Sequence, residues 1–232
     1  MYKILEKTQF SEKVFKFRIE APEMARHAHA GQFLMVRANE RGERVPFTFA
    51  DWNPEEGWVE FIFMVIGKTT TMLSTYEAGD SLQDVTGPLG QPTEMGDGSW
   101  AVIGGGVGLA IAFPVARQLV ASGHEVHAIM GARTKDLLLL EEQFRSILPD
   151  DHIHITTDDG SYGEKGVVTV PLERLLKEGE VDHVFCVGPV PMMKFSALTA
   201  EKYGTPIIAS LNPIMVDGTG MCGCCRVEID GQ

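Results

Sequence analysis

The sequence predicts a two-part chain: a small antiparallel β barrel, then a five-stranded parallel, doubly wound α/β domain with a cysteine loop at its C-terminal end. Three observations carry this expectation. Apolar residues recur at a period of two up to about residue 98, and beyond it apolar strand-like runs alternate with longer helical patterns. Cys222, Cys224 and Cys225, three of the four cysteines, crowd into one glycine-rich stretch. The expected boundaries are 1–98, 99–212 and 213–232.

In the first part, Phe15, Phe17 and Ile19 alternate with Lys16, Arg18 and Glu20, the pattern of a half-buried strand. Further strands are expected at Gln32 to Arg37, Pro46 to Ala50, Trp58 to Ile66 and Ser81 to Val85. Turn signals separate them at Asn39 to Gly42, Asn53-Pro54 and Gly79-Asp80. Short strands at such spacing close into a barrel. After Met95 to Ser99, strands are expected at Trp100 to Ile103, Glu125 to Met130, His152 to Thr156, His183 to Val187 and Pro206 to Leu211. Helices fit between them at Leu109 to Ala121, Leu137 to Ile147, Val170 to Lys177 and Pro191 to Tyr203, with Gly123 and Gly204 placed to stop two of them.

Composition removes several function classes. With 232 residues, 44% hydrophobic and 22% charged, the chain has the balance of a globular protein rather than a disordered or fibrous one. A net charge of −12 repels nucleic-acid phosphates over most of the surface. No apolar run reaches the roughly 20 residues of a membrane span, and residues 1–8 lack a signal-peptide core. The expected address is therefore the cytoplasm.

Six stretches suit ligand chemistry. Gly104-Gly105-Gly106-Val107-Gly108 follows a strand and opens a helix, where glycines admit a pyrophosphate to backbone N–H groups; its spacing departs from G-x-G-x-x-G, because Leu109 stands in the last position. Thr157-Asp158-Asp159-Gly160-Ser161 and Gly188-Pro189-Val190-Pro191-Met192 follow later strands of the same sheet, although each also suits a plain turn or helix start. In the barrel, Arg44-Val45-Pro46-Phe47-Thr48 offers a guanidinium for a diphosphate and a hydroxyl for a ring nitrogen, and Gly67-Lys68-Thr69-Thr70 follows an apolar strand; an edge-strand arginine and a threonine-rich turn are the plainer reading. Asp217 to Cys225 packs thiols among glycines, which suits an iron–sulfur cluster or, alternatively, zinc. Cys186 lies in an apolar strand and reads as a small hydrophobe, and the seven histidines read as surface or strand-end residues.

Taken in order, these motifs resemble the ferredoxin–NADP reductase superfamily over essentially the whole chain. More closely, the chain resembles the electron-transfer subunits of dihydroorotate dehydrogenase and of NADH-dependent ferredoxin:NADP oxidoreductase. The resemblance implies that Arg44, Pro46, Phe47 and Thr48 lie on FAD, with Arg44 toward the diphosphate and Thr48 beside the isoalloxazine as the candidate catalytic residue. It implies that Gly67, Lys68, Thr69 and Thr70 hold the FAD phosphates. Gly104, Gly105, Gly106, Val107, Gly108, Arg133, Asp158, Asp159, Gly188, Pro189 and Met192 would surround NAD(H), which exchanges a hydride with the flavin across the domain crevice. Arg133 and Lys135 could instead pair with the 2′-phosphate of NADP(H), or stay solvated.

The dihydroorotate type resembles C-x4-C-x2-C with a distant fourth cysteine; laid on this chain, the ligands of a [2Fe–2S] cluster become Asp217, Cys222 and Cys225, with Cys224 outside the set. Asp217 in the first position resembles the small subunit of the ferredoxin:NADP type and argues against the dihydroorotate type. Val227 to Gln232 reads as a hairpin cut at its turn, so a longer natural protein carrying the fourth ligand is expected. The expected partner is a larger flavin and iron–sulfur oxidoreductase subunit, with ferredoxin reached indirectly. The competing expectations are a dihydroorotate dehydrogenase electron-transfer subunit and a non-catalytic nucleotide-binding interaction module.

Overall fold

The structure is a computed structural model that describes residues 1–211 and 213–228. It divides into two compact units, one of residues 1–93 joined by the described residues of 213–228, the other of residues 94–211.

The first unit is a nearly closed antiparallel barrel of seven strands. These are β1 (Tyr2–Ser11), β2 (Val14–Glu20), β3 (Phe33–Arg37), β4 (Arg44–Asn53), β5 (Trp58–Met64), β6 (Ser81–Leu82) and β7 (Asp84–Leu89), in the order β6-β1-β2-β5-β4-β3-β7. Cross-strand register sets Phe17 opposite Phe61 and Phe15 opposite Phe63. Each pair packs with ring centroids 5.8 Å apart, adding about 0.5–1.5 kcal/mol beyond plain burial. Central β5 is covered on both faces, so Glu60 is buried there and is held by Lys16 at 3.0 Å and Arg18 at 2.7 Å.

This unit differs from the expectation in three ways. β1 carries one fully buried residue, Ile4, and its register shifts twice against β2, so no alternation marks it in the sequence. Two helices, α1 (Pro22–His27) and α2 (Lys68–Leu73), are each six residues long, too short for a 3.6-residue period to show. The expected strand at Ser81 to Val85 is broken at Gln83 into β6 and β7, which pair with β1 and β3 respectively.

The second unit is a parallel sheet of β8 (Trp100–Gly105), β9 (Val126–Ala132), β10 (Ile153–Thr157), β11 (Glu164–Lys165), β12 (His183–Val187) and β13 (Ile207–Ala209). Its helices are α3 (Leu109–Ala121), α4 (Glu141–Ile147), α5 (Thr169–Glu178) and α6 (Val190–Lys202). The order β11-β10-β9-β8-β12-β13 reverses direction between β8 and β12, the switch point of a doubly wound sheet. β8 is buried along its whole length, as a central parallel strand must be.

Three further differences arise here. The sheet has six strands rather than five, because the exposed, polar pair Glu164–Lys165 adds to the end of β10 and carries no apolar signal. α4 begins at Glu141 rather than Leu137, after a short turn and Leu140 at φ 60°. His127 is not a surface residue: it lies inside β9 and is 5% exposed.

Residues 213–228 form neither helix nor strand among the described positions. Gly218 settles on the barrel, where an added Cβ would stand 2.9 Å from Met35 Cγ. The hairpin expected over Val227 to Gln232 lies, from residue 229 onward, outside the described residues.

Candidate functional site

On β4 the period of two sorts the expected flavin residues. Arg44, Pro46 and Thr48 share one face, while Phe47 turns inward and stacks on Phe61 at 5.0 Å with an interplanar angle of 10°. Pro46 and Thr48 stay half-buried, and register places Thr48 opposite Phe33. The exposed Arg44 guanidinium pairs with Asp84 at 2.6 Å. Such a solvent-exposed pair is worth little, so a diphosphate can replace the carboxylate without a large penalty.

Gly67 precedes α2 in extended backbone, with open space where a side chain would stand. Thr70 is spent on the turn itself: its Oγ1 accepts the N–H groups of Ile66 and Gly67, at 3.0 and 3.1 Å, and donates to the Gly67 carbonyl. Lys68 is exposed and Thr69 half-buried, so these two present their side chains outward from the fixed turn.

In the second unit, the loops after β8, β9, β10 and β12 lie at the C-terminal ends of the parallel strands. Gly104 and Gly105 end β8, Gly106-Val107-Gly108 forms a tight turn, and α3 follows directly. Close packing demands several of these glycines. An added Cβ on Gly105 would stand 2.5 Å from Met192 Sδ and 3.1 Å from Pro189 Cδ, and one on Gly108 would stand 2.5 Å from the Val187 carbonyl oxygen. Gly188 is pressed in the same way between Met192 and Gly105. Gly106 differs: it has φ +56° and open space around it, so its backbone is bare to an incoming group.

The neighbouring loops are tied together by backbone. Asp158 N–H donates to the Ala132 carbonyl at 3.1 Å, Asp159 N–H donates to the Arg133 carbonyl at 3.3 Å, and Lys135 N–H donates to Ser161 Oγ at 3.0 Å. The hydroxyl and N–H of Ser161 hold the Asp159 carboxyl below its usual range. Arg133, Asp158 and Asp159 are exposed at this rim. Tyr162, which belongs to the same sequence motif but not to the expected dinucleotide residues, lies at this rim too: the Lys135 ammonium sits 4.6 Å from its ring centre, and its hydroxyl donates to Glu141 at 2.8 Å.

The cysteine loop is ordered by Asp217. Its Oδ1 accepts from the N–H groups of Thr219 and Gly220 at 2.9 and 3.3 Å, and its Oδ2 accepts from Cys222 N–H at 3.0 Å. These bonds, the one from Thr219 foremost, lower the Asp217 pKa. Cys222 and Cys224 are exposed, while Cys225 is half-buried. Backbone N–H donation, first from Cys224, lowers the Cys222 thiol, whereas hydrogen bonding to Cys222 raises Cys224. Cys222 is thus the more readily ionised of the two, and the thiolate is the form that binds metals. Cys186 lies elsewhere, fully buried in β12, where desolvation pushes its thiol up to about 11.

Comparison with known proteins agrees with this division. Residues 1–93 match the family described as "Oxidoreductase FAD-binding domain", and residues 102–197 match "Oxidoreductase NAD-binding domain". A Thermotoga maritima protein named as a homolog of the dihydroorotate dehydrogenase B (NAD(+)) electron transfer subunit is 46% identical over 99% of this chain and 80% of its own length. The Streptococcus mutans dihydroorotate dehydrogenase B electron transfer subunit is 31% identical over 99% of this chain and 88% of its own. Among solved structures, one described for flavin-based electron bifurcation by an NADH-dependent reduced ferredoxin–NADP oxidoreductase superposes with a TM-score of 0.92 at 46% identity, covering 100% of this chain and 83% of that one. An Amycolatopsis cytochrome P450 reductase, at 20% identity and a TM-score of 0.75, shares the fold. With a flavin-type barrel, a nicotinamide-type α/β unit and these relatives along nearly its whole length, the chain belongs to the ferredoxin–NADP reductase superfamily, in the family of oxidoreductases that holds the dihydroorotate dehydrogenase B electron transfer subunits.

Proposed function

We propose that the chain is an electron-transfer subunit that moves a hydride between NAD(H) and FAD and passes single electrons through a [2Fe–2S] cluster to a larger flavoprotein partner, as in an NADH-dependent ferredoxin:NADP oxidoreductase. The observation that carries the cluster and partner is the Asp217 loop. One carboxylate gathers three backbone N–H groups, that of Cys222 among them, and Cys225 follows three residues later in the same glycine-rich loop; carboxylate and thiolate are donors whose chemistry suits iron.

Bound FAD and NAD(H) would supply the hydride and one-electron chemistry, so no side chain has to act as acid or base. Arg44 binds the FAD diphosphate in place of Asp84, and Thr48 positions the isoalloxazine through its hydroxyl. The turn that Thr70 locks offers the outward-facing Gly67, Lys68 and Thr69 to the phosphates. In the second unit, Gly106 leaves room for the pyrophosphate, while Gly104, Gly105, Val107 and Gly108 shape the turn. Arg133, Asp158 and Asp159 flank the nucleoside, and Gly188, Pro189 and Met192 bound the nicotinamide side. NAD(H) is the expected dinucleotide: the electron transfer subunit relatives are named for NAD(+), the solved ferredoxin–NADP oxidoreductase is described as NADH-dependent, and Lys135 is engaged on the Tyr162 ring. Asp217, Cys222 and Cys225 are the cluster ligands that this segment supplies. Ile214, Val216 and Met221, exposed in the same segment as the thiols, offer apolar surface suited to a protein partner.

The visible spectrum, recorded before and after anaerobic addition of NADH, tests the reading together with iron and sulfide analysis. Flavin bands that bleach, with iron and inorganic sulfide in equal amounts, are expected. A colourless protein that takes up no added FAD would sink the assignment. The second reading, a dihydroorotate dehydrogenase electron-transfer subunit, is favoured by the names of the relatives and is separated by which partner copurifies.

A further inference from the structure

At the N-terminal ends of the parallel strands, three side chains converge that the flavin and dinucleotide reading leaves unused. Pairing of β9 with β10 sets Ala128 opposite Ile153, so the preceding residues, His127 and His152, stand side by side. Their rings stack with centroids 4.1 Å apart. Glu125, at the entry to β9, brings Oε1 to 3.9 Å from His127 Nε2 and 3.8 Å from His152 Nε2. One ligand atom from each of the three residues lies within 4.8 Å of the others. Asp151 and Glu180 line the same cleft.

The ring nitrogens are sorted for ligation. His152 Nδ1 lies 3.1 Å from the Val126 carbonyl oxygen, which can only accept, so Nδ1 carries the hydrogen and Nε2 keeps its lone pair. His127 Nδ1 is engaged with His154 Nε2 at 3.3 Å. His127 Nε2 is buried with no hydrogen-bond partner among the described residues, in a side chain only 6% exposed, and it faces Glu125. A buried nitrogen left in this way is destabilising unless something binds it.

We propose that Glu125, His127 and His152 form a binding site for a zinc-class divalent transition-metal ion, with water or a neighbouring carboxylate completing its coordination. Two imidazoles and one carboxylate are a standard zinc donor set. A tetrahedral ion bound at about 2.0–2.2 Å spaces its ligand atoms roughly 3.4 Å apart, so the carboxylate separations close with shifts of about half an ångström, while the two stacked rings must turn out of their stack for both Nε2 lone pairs to meet at one ion. The ion would staple the entries of β9 and β10 at the sheet end opposite the glycine turn, a structural role that does not depend on the electron-transfer reading.

The exposed cysteines also bind zinc, so the test uses the full chain after its thiols are blocked with iodoacetamide. Calorimetric titration with Zn2+ at neutral pH is expected to show one ion bound per chain, and Glu125→Gln and His152→Gln are each expected to weaken binding at least about tenfold. Because His127→Gln alters a buried strand position and can fail to fold, the two more exposed positions decide the matter. Co2+ in place of Zn2+ is expected to give the visible bands of a nitrogen–oxygen site without a thiolate charge-transfer band. No uptake by the alkylated chain, or uptake that Glu125→Gln and His152→Gln leave unchanged, overturns the proposal.

Discussion

At the scale of single residues, the glycine turn mixes two requirements that look alike in sequence. Gly108 is glycine for packing, because a methyl there meets the Val187 backbone carbonyl, which cannot swing aside. Gly108→Ala is therefore expected to cost about 1–3 kcal/mol, read as a lower thermal midpoint. Gly106 has room for a methyl but holds φ +56°, so Gly106→Ala is expected to cost about 1 kcal/mol in backbone strain. Its larger effect is expected on NADH, because the methyl stands where the proposed pyrophosphate approaches. Unchanged NADH affinity by calorimetry would remove Gly106 from the proposed site. The composition Gly-Gly-Gly-x-Gly was legible from the outset; which glycine serves which purpose was not, since that depends on what Val187 and Met192 bring against the turn.

At the scale of elements, the central strands of the parallel sheet are joined at their starts by one carboxylate. Asp182, just before β12, accepts from Ser99 N–H and Ser99 Oγ, both at 2.9 Å, and Ser99 directly precedes β8. These bonds, with the backbone one largest, hold the Asp182 pKa below its ordinary value of 3.8. A carboxyl depressed on folding adds stability that is full above its unfolded pKa and is lost as pH falls through the lower folded one. Asp182→Asn is thus expected to lower the thermal midpoint at neutral pH, with the gap from the parent closing as the pH falls below the ordinary carboxyl value of 3.8. A gap that stays constant across the acid range would show that the charge contributes nothing.

Element recognition followed burial. β8, β9 and β12 are mainly apolar runs because parallel central strands are covered on both faces, and each was legible. β1 and β11 were not, because backbone pairing holds them while their side chains stay largely outside the cores.

At the scale of the whole molecule, the proposed hydride exchange and the proposed single-electron export fall on separate sets of residues, and this is testable. Cys222→Ser is expected to abolish iron incorporation and electron delivery to a one-electron acceptor, while NADH still bleaches the flavin. Cys224→Ser is expected to leave iron and sulfide content unchanged; loss of the cluster in that variant would move Cys224 into the ligand set.

The sequence by itself determined the order of the two units, the glycine turn, the Asp-Asp-Gly-Ser and Gly-Pro loops and the crowded thiols, because each is a local pattern whose chemistry is complete within a few neighbouring residues. Only the tertiary structure decided that Phe47 packs against the barrel core, that Thr70 is consumed by its own turn, and that Glu125, His127 and His152 meet. His127 and His152 belong to different strands, and no periodicity along the chain marks them as partners. The in-register pairing of β9 with β10 is what places one imidazole against the other.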